Sequence, residues 1–367
     1  MKYSKLGNSE DLISVIGFGT GFHLPENESG TSIEQTIKAS LDNGVNFVDT
    51  APVYGDGASE KLLGETLLKI GRKNVFLASK VSPKDVTHDG VIKSCEASLS
   101  RLQTDVIDLL QVHWSNPNIP LSETLSGMEK LVSDGKVRHI GVSNFTFNEV
   151  EQTISNLKNS TLSSIQTEYN LFERSIEEKL LPYCVDNDIT LIAYSPLAQG
   201  KLANGKNQVD LLHKISKKYN CTPGQVVLNW LTAQSRVVVI PNTSKEKRAI
   251  ENAKSTNFNL SPEDLKLIDE NLKTPVSYVD VNEIKVSNDY NRKVYTTVQE
   301  ALDNKMNLTP SPVQLAEEMK KGFFLKPIRL KQIQDNRYDL IEGRLRYWAW
   351  VIAFGNSKKI PALVWKK

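Results

Sequence analysis

Asp49-Thr-Ala-Pro-Val-Tyr54 ends a short apolar run, and it decides how the rest of the chain is read. Three other segments have the same form: Ala78-Ser-Lys80, Gln111-Val-His113-Trp114 and Gly141-Val-Ser-Asn-Phe145. Each stands at the end of a run with the length and composition of a β-strand. Together they bring an acid, a phenol, an amine and an imidazole to neighbouring strand ends. Side chains of those four types can build one proton-transfer site.

Outward from these motifs, residues 13–272 alternate apolar runs with helical patterns. Eight runs are candidate strands: 13–18, 46–49, 75–79, 107–113, 139–142, 165–168, 191–194 and 237–240. Each of the seven intervals between them can hold a helix. One carries Leu62, Leu63, Thr66, Leu67 and Ile70 at helical spacing. Another contains Thr222-Pro-Gly-Gln225, a capping box with Pro at the first helical position. Ser261-Pro-Glu-Asp264 opens a last helix in the same way. Eight strand–helix units in roughly 260 residues predict an α/β fold, a (β/α)8 TIM barrel rather than an open sheet. Functional groups of such barrels gather at the C-terminal strand ends, where the four motifs fall.

The motifs resemble those of the aldo-keto reductase superfamily over about residues 2–272. The resemblance implies an NAD(P)H-dependent oxidoreductase that reduces an aldehyde or ketone to an alcohol by hydride transfer. It implies Tyr54 as proton donor, Lys80 as its ammonium neighbour, Asp49 as the partner of Lys80, and His113 as a donor to the carbonyl oxygen. Trp114 would wall the substrate pocket. The residue types suit these roles. A free phenol titrates near 10 and is too weak an acid at neutral pH. A nearby ammonium stabilises the phenolate, and an imidazole donor polarises the carbonyl.

The loops after the seventh and eighth runs resemble the family's dinucleotide segments. The resemblance implies Tyr194 stacked on the nicotinamide, with Ser143, Asn144 and Gln166 bonded to its carboxamide. Ser195, Leu197, Gln199 and Gly200 would wrap the pyrophosphate. Thr243, Ser244 and Arg248 would meet the adenosine 2′-phosphate, and Glu251 and Asn252 the adenine. Asn242 stands where many NADPH-specific relatives carry Lys, but Lys245 and Arg248 remain as cations. NADP(H) is therefore expected, with NAD the lesser candidate. Gly17-Phe-Gly-Thr-Gly21 lacks the dinucleotide Gly-x-Gly-x-x-Gly spacing and reads as a tight turn at the barrel floor or rim.

The pattern lapses over 273–290, which reads as a linker at 276–289 between a barrel of residues 1–275 and a second domain of 290–367. There, Ser311-Pro-Val-Gln314 caps a helix, strands are expected over 327–330 and 338–341, and Leu345, Trp348, Ala349 and Ile352 form the face of a second helix. A strand over 360–365 closes the domain. This order resembles the small α+β ParB/sulfiredoxin-type fold. That family's Gly-Glu-Arg-Arg box binds nucleotide phosphates and aligns with Gly343, Arg344, Leu345 and Arg346, so the acid and one Arg are replaced. Gly343, Arg344 and Arg346 are a candidate anion site at a helix start. The other reading is an interaction or dimerisation domain, which would make a homo-oligomer.

Charge separates the same two parts. Residues 290–367 carry 15 Lys+Arg and 7 Asp+Glu, a net of +8, and the remainder carries 30 and 36, a net of −6. A basic tail on an acidic body suggests modules with different partners. Cys95, Cys184 and Cys221 are scattered without metal-ligand spacing, which predicts free thiols in a reducing cytoplasm and no metal site. No run of 18 or more apolar residues and no apolar leader is found, so neither a membrane span nor secretion is expected. The chain is expected to be an NADP-dependent carbonyl reductase or alcohol dehydrogenase. The competing expectation is an NADPH-sensing protein whose basic module engages a nucleotide, a nucleic acid or a protein partner.

Overall fold

The apolar runs of the first part become eight parallel strands in a computed structural model, which describes residues 1–21, 30–203, 210–273, 276–286, 295–308, 310–321 and 326–365. They are β1 (Phe18–Gly19), β2 (Phe47–Asp49), β3 (Phe76–Val81), β4 (Ile107–Val112), β5 (Val137–Ser143), β6 (Leu162–Glu168), β7 (Thr190–Tyr194) and β8 (Val237–Val239). Each pairs with its sequence neighbour. Bridges of Ile16 to Val239 and Gly19 to Asn242 join the last strand to the first and close the barrel. A Cβ on Gly19 would lie 2.9 Å from the Ile240 carbonyl oxygen, so a glycine is needed for this close approach.

Two expectations are corrected at this seam. The run 13–18 is not one strand. Leu12–Ser14 pairs antiparallel with Tyr3–Lys5, and Phe18–Gly19 alone enters the barrel. The reason is long-range: Ser14 N donates to Asn46 Oδ1 at 2.6 Å, and Leu6 and Ile13 are buried against Phe47, Leu109, Ile192 and Val238. Gly19 is also not in a turn, but in the strand that closes the barrel.

Helices cover the outside. Ala58–Ile70 buries Leu63 and Leu67, as its spacing predicts, and each such burial contributes about 1.5–3 kcal/mol. The Thr222–Gln225 capping box forms and starts the helix Pro223–Thr232. The interval between β7 and β8 also holds Asp210–Lys218. Ser261 accepts from Asp264 N and caps Pro262–Leu272. A cap of this kind contributes about 1 kcal/mol.

The first unit ends at Lys273. The second has its own five-stranded mixed sheet of β9 (Val276–Val279), β10 (Ile284–Lys285), β11 (Ile328–Gln334), β12 (Arg337–Glu342) and β13 (Ile360–Trp365). The order across the sheet is β9-β13-β11-β12-β10. The linker expected over 276–289 is thus corrected. β9 pairs with β13 and β10 with β12, so this stretch supplies both edges of the second sheet, while 287–289 lie outside the described residues. Ser311 and Gln314 form the expected capping box at the helix Pro312–Lys320, and the second helix is Arg344–Phe354. Val279, Ile284, Ile328, Leu330, Leu340, Trp348 and Ile360 form a core separate from that of the barrel.

Candidate active site

Strands β2 to β5 lie side by side, and their C-terminal ends carry the four motifs. The register sets Lys80 opposite Gln111, and Gln111 opposite Gly141. Lys80 Nζ donates to Asp49 Oδ1 at 2.6 Å and to the Thr50 carbonyl at 3.0 Å, and it lies 3.3 Å from Tyr54 Oη. Three acceptors match the three N–H groups of an ammonium. The Lys80 side chain is fully buried and Asp49 nearly so. Burial opposes the Lys80 charge, yet Asp49 and then Tyr54 outweigh it and hold the ammonium above its usual range. A fixed positive charge therefore stands against the phenol oxygen.

Tyr54 sits on a turn after β2, not on the strand. Tyr54 N donates to the Ala51 carbonyl at 3.1 Å, and Ser59 N donates to the Tyr54 carbonyl at 3.2 Å. Ser59 Oγ donates to Thr20 Oγ1 at 2.8 Å and lies 3.1 Å from Thr50 Oγ1. These bonds tie the turn to β2 and to the end of β1.

His113 N donates to the Val81 carbonyl at 3.0 Å, which continues the β3–β4 ladder by one residue. Its ring meets Tyr54 edge-on with centroids 5.9 Å apart and stacks on Trp114 at 3.7 Å. Nδ1 is buried and has no partner among the described residues. Burial, and then the Lys80 charge, push the imidazole down to about 2. His113 is neutral near pH 7. A neutral imidazole has one N–H to donate and no proton to lose in that range. Trp114, expected at the substrate pocket, is 40% exposed.

Four groups expected at the nicotinamide adjoin this cluster. Tyr194 Oη donates to Asn144 Oδ1 at 2.8 Å, and Asn144 Nδ2 donates to the His113 carbonyl and to Ser143 Oγ, both at 3.1 Å. Gln166 Nε2 donates to Asp49 Oδ2 at 2.9 Å. Beyond β7, Ser195, Gln199 and Gly200 have positive φ, so the loop through Leu197 is tightly wound. Thr243 and Ser244 precede the helix Glu246–Ala253, which carries Arg248, Glu251 and Asn252. Lys245 N donates to Thr243 Oγ1 at 3.1 Å. Arg248 is exposed and makes no ion pair among the described residues.

Two contributors were not expected from the sequence. The Thr50 carbonyl completes the Lys80 shell. Gln111 Nε2 donates to Asp49 Oδ2 at 3.1 Å. The available signal was Gln111 itself, an amide two residues before His113 in an apolar run, and so on the same strand face.

The candidate anion residues are together in the second unit. Gly343 precedes the helix Arg344–Phe354, and Arg344 is buried. Arg346 Nη1 donates to the carbonyls of Lys326 at 2.6 Å and Pro327 at 2.9 Å, so it also braces the entry to β11.

Known proteins share this barrel. The sequence pattern of the Aldo/keto reductase family matches residues 15–273. Methylglyoxal reductase YeaE of Escherichia coli is 35% identical over 265 residues, which span 72% of this chain and 92% of that protein. Glyoxal reductase of Bacillus subtilis is 36% identical over 256 residues, spanning 69% and 87%. The crystal structure of an aldo/keto reductase from Klebsiella pneumoniae in complex with NADP and acetate superposes with a TM-score of 0.67 at 33% identity, covering 72% of this chain and 93% of that one. On the strength of its barrel and this match, the chain belongs to the aldo/keto reductase family.

Proposed function

We propose that the chain reduces a small aldehyde or ketone to an alcohol with NADPH, and that Asp49, Tyr54, Lys80 and His113 serve the proton side of that reaction. The observation that carries the reading is the buried Lys80 ammonium, held between Asp49 and the Tyr54 hydroxyl. NADPH, when bound, supplies the hydride. The Tyr54 hydroxyl gives its proton to the carbonyl oxygen, and the Lys80 charge stabilises the phenolate left behind. Neutral His113 donates a hydrogen bond to the same oxygen and positions it. Trp114 lines the substrate pocket. The relatives named for methylglyoxal and glyoxal support short 2-oxoaldehydes as the substrate class.

The donor set fits a phosphorylated dinucleotide. Ser143, Asn144 and Gln166 offer hydroxyl and amide groups to the carboxamide, and Tyr194 offers its ring to the nicotinamide. Ser195, Leu197, Gln199 and Gly200 lie along the loop for the pyrophosphate. Thr243, Ser244 and exposed Arg248 would hold the 2′-phosphate, with Glu251 and Asn252 at the adenine. The NADPH-sensing alternative is not favoured, since the similar proteins are named as reductases.

We read the second unit as ParB/sulfiredoxin-like, supported by its helix–strand–strand–helix–strand order from Pro312 to Trp365. Its basic charge and the grouping of Gly343, Arg344 and Arg346 support an anion- or partner-binding role. Among the described residues no helix is long and apolar enough to cross a membrane. Three free cysteines support a reducing, cytoplasmic setting. The test of the main reading is NADPH oxidation, followed by absorbance, with methylglyoxal, glyoxal and simple aldehydes. Absence of turnover across the panel overturns it.

A further inference from the structure

We infer that Gln111 is a positioning residue for the proton-transfer pair, holding Asp49 so that one carboxylate oxygen serves Lys80 alone. This rests on the carbonyl-reductase reading. A buried carboxylate needs hydrogen bonds on both oxygens. Oδ1 of Asp49 accepts from Lys80 at 2.6 Å. Oδ2 accepts from two amides, Gln111 Nε2 at 3.1 Å and Gln166 Nε2 at 2.9 Å. The amides are also bonded to each other, with Gln166 Nε2 donating to Gln111 Oε1 at 3.2 Å. Gln111 is fully buried and Gln166 nearly so.

This arrangement divides the labour. The amide pair occupies Oδ2 and sets the plane of the carboxylate. Oδ1 is left to direct Lys80 at the Tyr54 hydroxyl. Both N–H groups of Gln166 are used, and no described residue donates to its Oε1. That oxygen is the acceptor left for a carboxamide N–H2. Gln111 thus bonds both Gln166, the amide proposed for the cofactor, and the acid. The barrel makes room for it. A Cβ on Gly141, its neighbour on β5, would lie 2.9 Å from Gln111 Cγ and would also collide with Ser164 Oγ. Glycine at 141 leaves the space that the Gln111 and Ser164 side chains occupy.

The test uses the full chain with Gln111→Met and Gln111→Glu. Gln111→Met keeps the length and removes both polar groups. Loss of a hydrogen bond to a charged group corresponds to roughly 10–100-fold. Turnover should fall by that factor, while NADPH affinity, read by quenching of protein fluorescence, stays within about twofold. Gln111→Glu can donate to Asp49 only when protonated. Its kcat relative to wild type should therefore be highest near pH 5 and fall by about tenfold or more toward pH 8. A Gln111→Met enzyme with wild-type kcat overturns the inference. So does a parallel loss of kcat and NADPH affinity, which would mark a packing role. If Gln111→Met does not fold, Gln111→Glu decides alone, and a ratio to wild type that does not change with pH overturns the proposal. A wild type that binds NADPH but reduces no carbonyl overturns the underlying reading, and the inference falls with it.

Discussion

The Lys80 ammonium lies 3.3 Å from the Tyr54 hydroxyl, and its side chain is sealed from solvent. At that distance and burial, charge appearing on the phenol oxygen meets an unscreened positive partner. Asp49 keeps the partner charged, and the Thr50 carbonyl fixes its direction. The site is built around this contact, and its consequences can be measured.

Removing one member of the buried pair should leave the other stranded. Lys80→Met is expected to cost about 3–5 kcal/mol of folding stability, since an uncompensated buried carboxylate remains. Adding Asp49→Asn should restore most of that loss but none of the turnover. Urea denaturation alongside NADPH oxidation checks both halves. A double variant as unstable as Lys80→Met would show that the charge pair is not what the fold depends on.

The neutral state of His113 makes stability depend on pH. Folded His113 titrates at about 2, whereas an unfolded histidine titrates near 6.5. Between these values the unfolded chain binds the extra proton, so folding stability falls as pH drops below about 6.5 and is unaffected above it. The slope is at most about 1.4 kcal/mol per pH unit. At pH 5 wild type should have lost about 2 kcal/mol more than His113→Gln, both measured against pH 7. Equal losses in the two proteins would contradict a neutral buried imidazole.

Arg248 should set cofactor preference. It is exposed and makes no ion pair among the described residues, so Arg248→Ala should leave the melting temperature unchanged. NADPH affinity should weaken by roughly 10–100-fold and NADH affinity hardly at all. Equal weakening of both cofactors would show that Arg248 does not recognise the 2′-phosphate.

Much of the barrel was legible because buried parallel strands and amphipathic helices leave strong local periods. The capping boxes at Thr222 and Ser311 are local too, and both formed where their spacing put them. The departures have a common cause. Ile13 and Ser14 look like the start of a barrel strand until Asn46, 32 residues beyond Ser14, binds Ser14. β9 is a short edge strand with Val276 and Tyr278 exposed, so it lacks the apolar run that marks a buried strand. Asp49, Tyr54, Lys80 and His113 carry their chemistry in their own side chains, and it was their joint occurrence in four strand-end motifs, not any one of them, that made them legible. Gln111 is a neutral amide, and its part depends on Asp49, 62 residues earlier. No local pattern encodes that contact.

The two units have separate cores, and the family match ends where the first unit ends. A chain stopped after Lys273 should therefore remain folded and keep NADPH affinity within about threefold, because none of the proposed cofactor residues lies beyond Asn252. Fluorescence titration of the truncated protein checks this. Insolubility or lost binding would mean that the barrel needs the second unit.

The most direct measurement is single-turnover NADPH oxidation by wild type and Tyr54→Phe with a saturating 2-oxoaldehyde, at matched cofactor occupancy. Loss of a positioned general acid should slow the step by about 10²–10⁴-fold while NADPH still binds. A Tyr54→Phe enzyme that reduces the aldehyde at close to the wild-type rate would contradict the assignment of Tyr54 as proton donor, and with it the role given to the Lys80 ammonium.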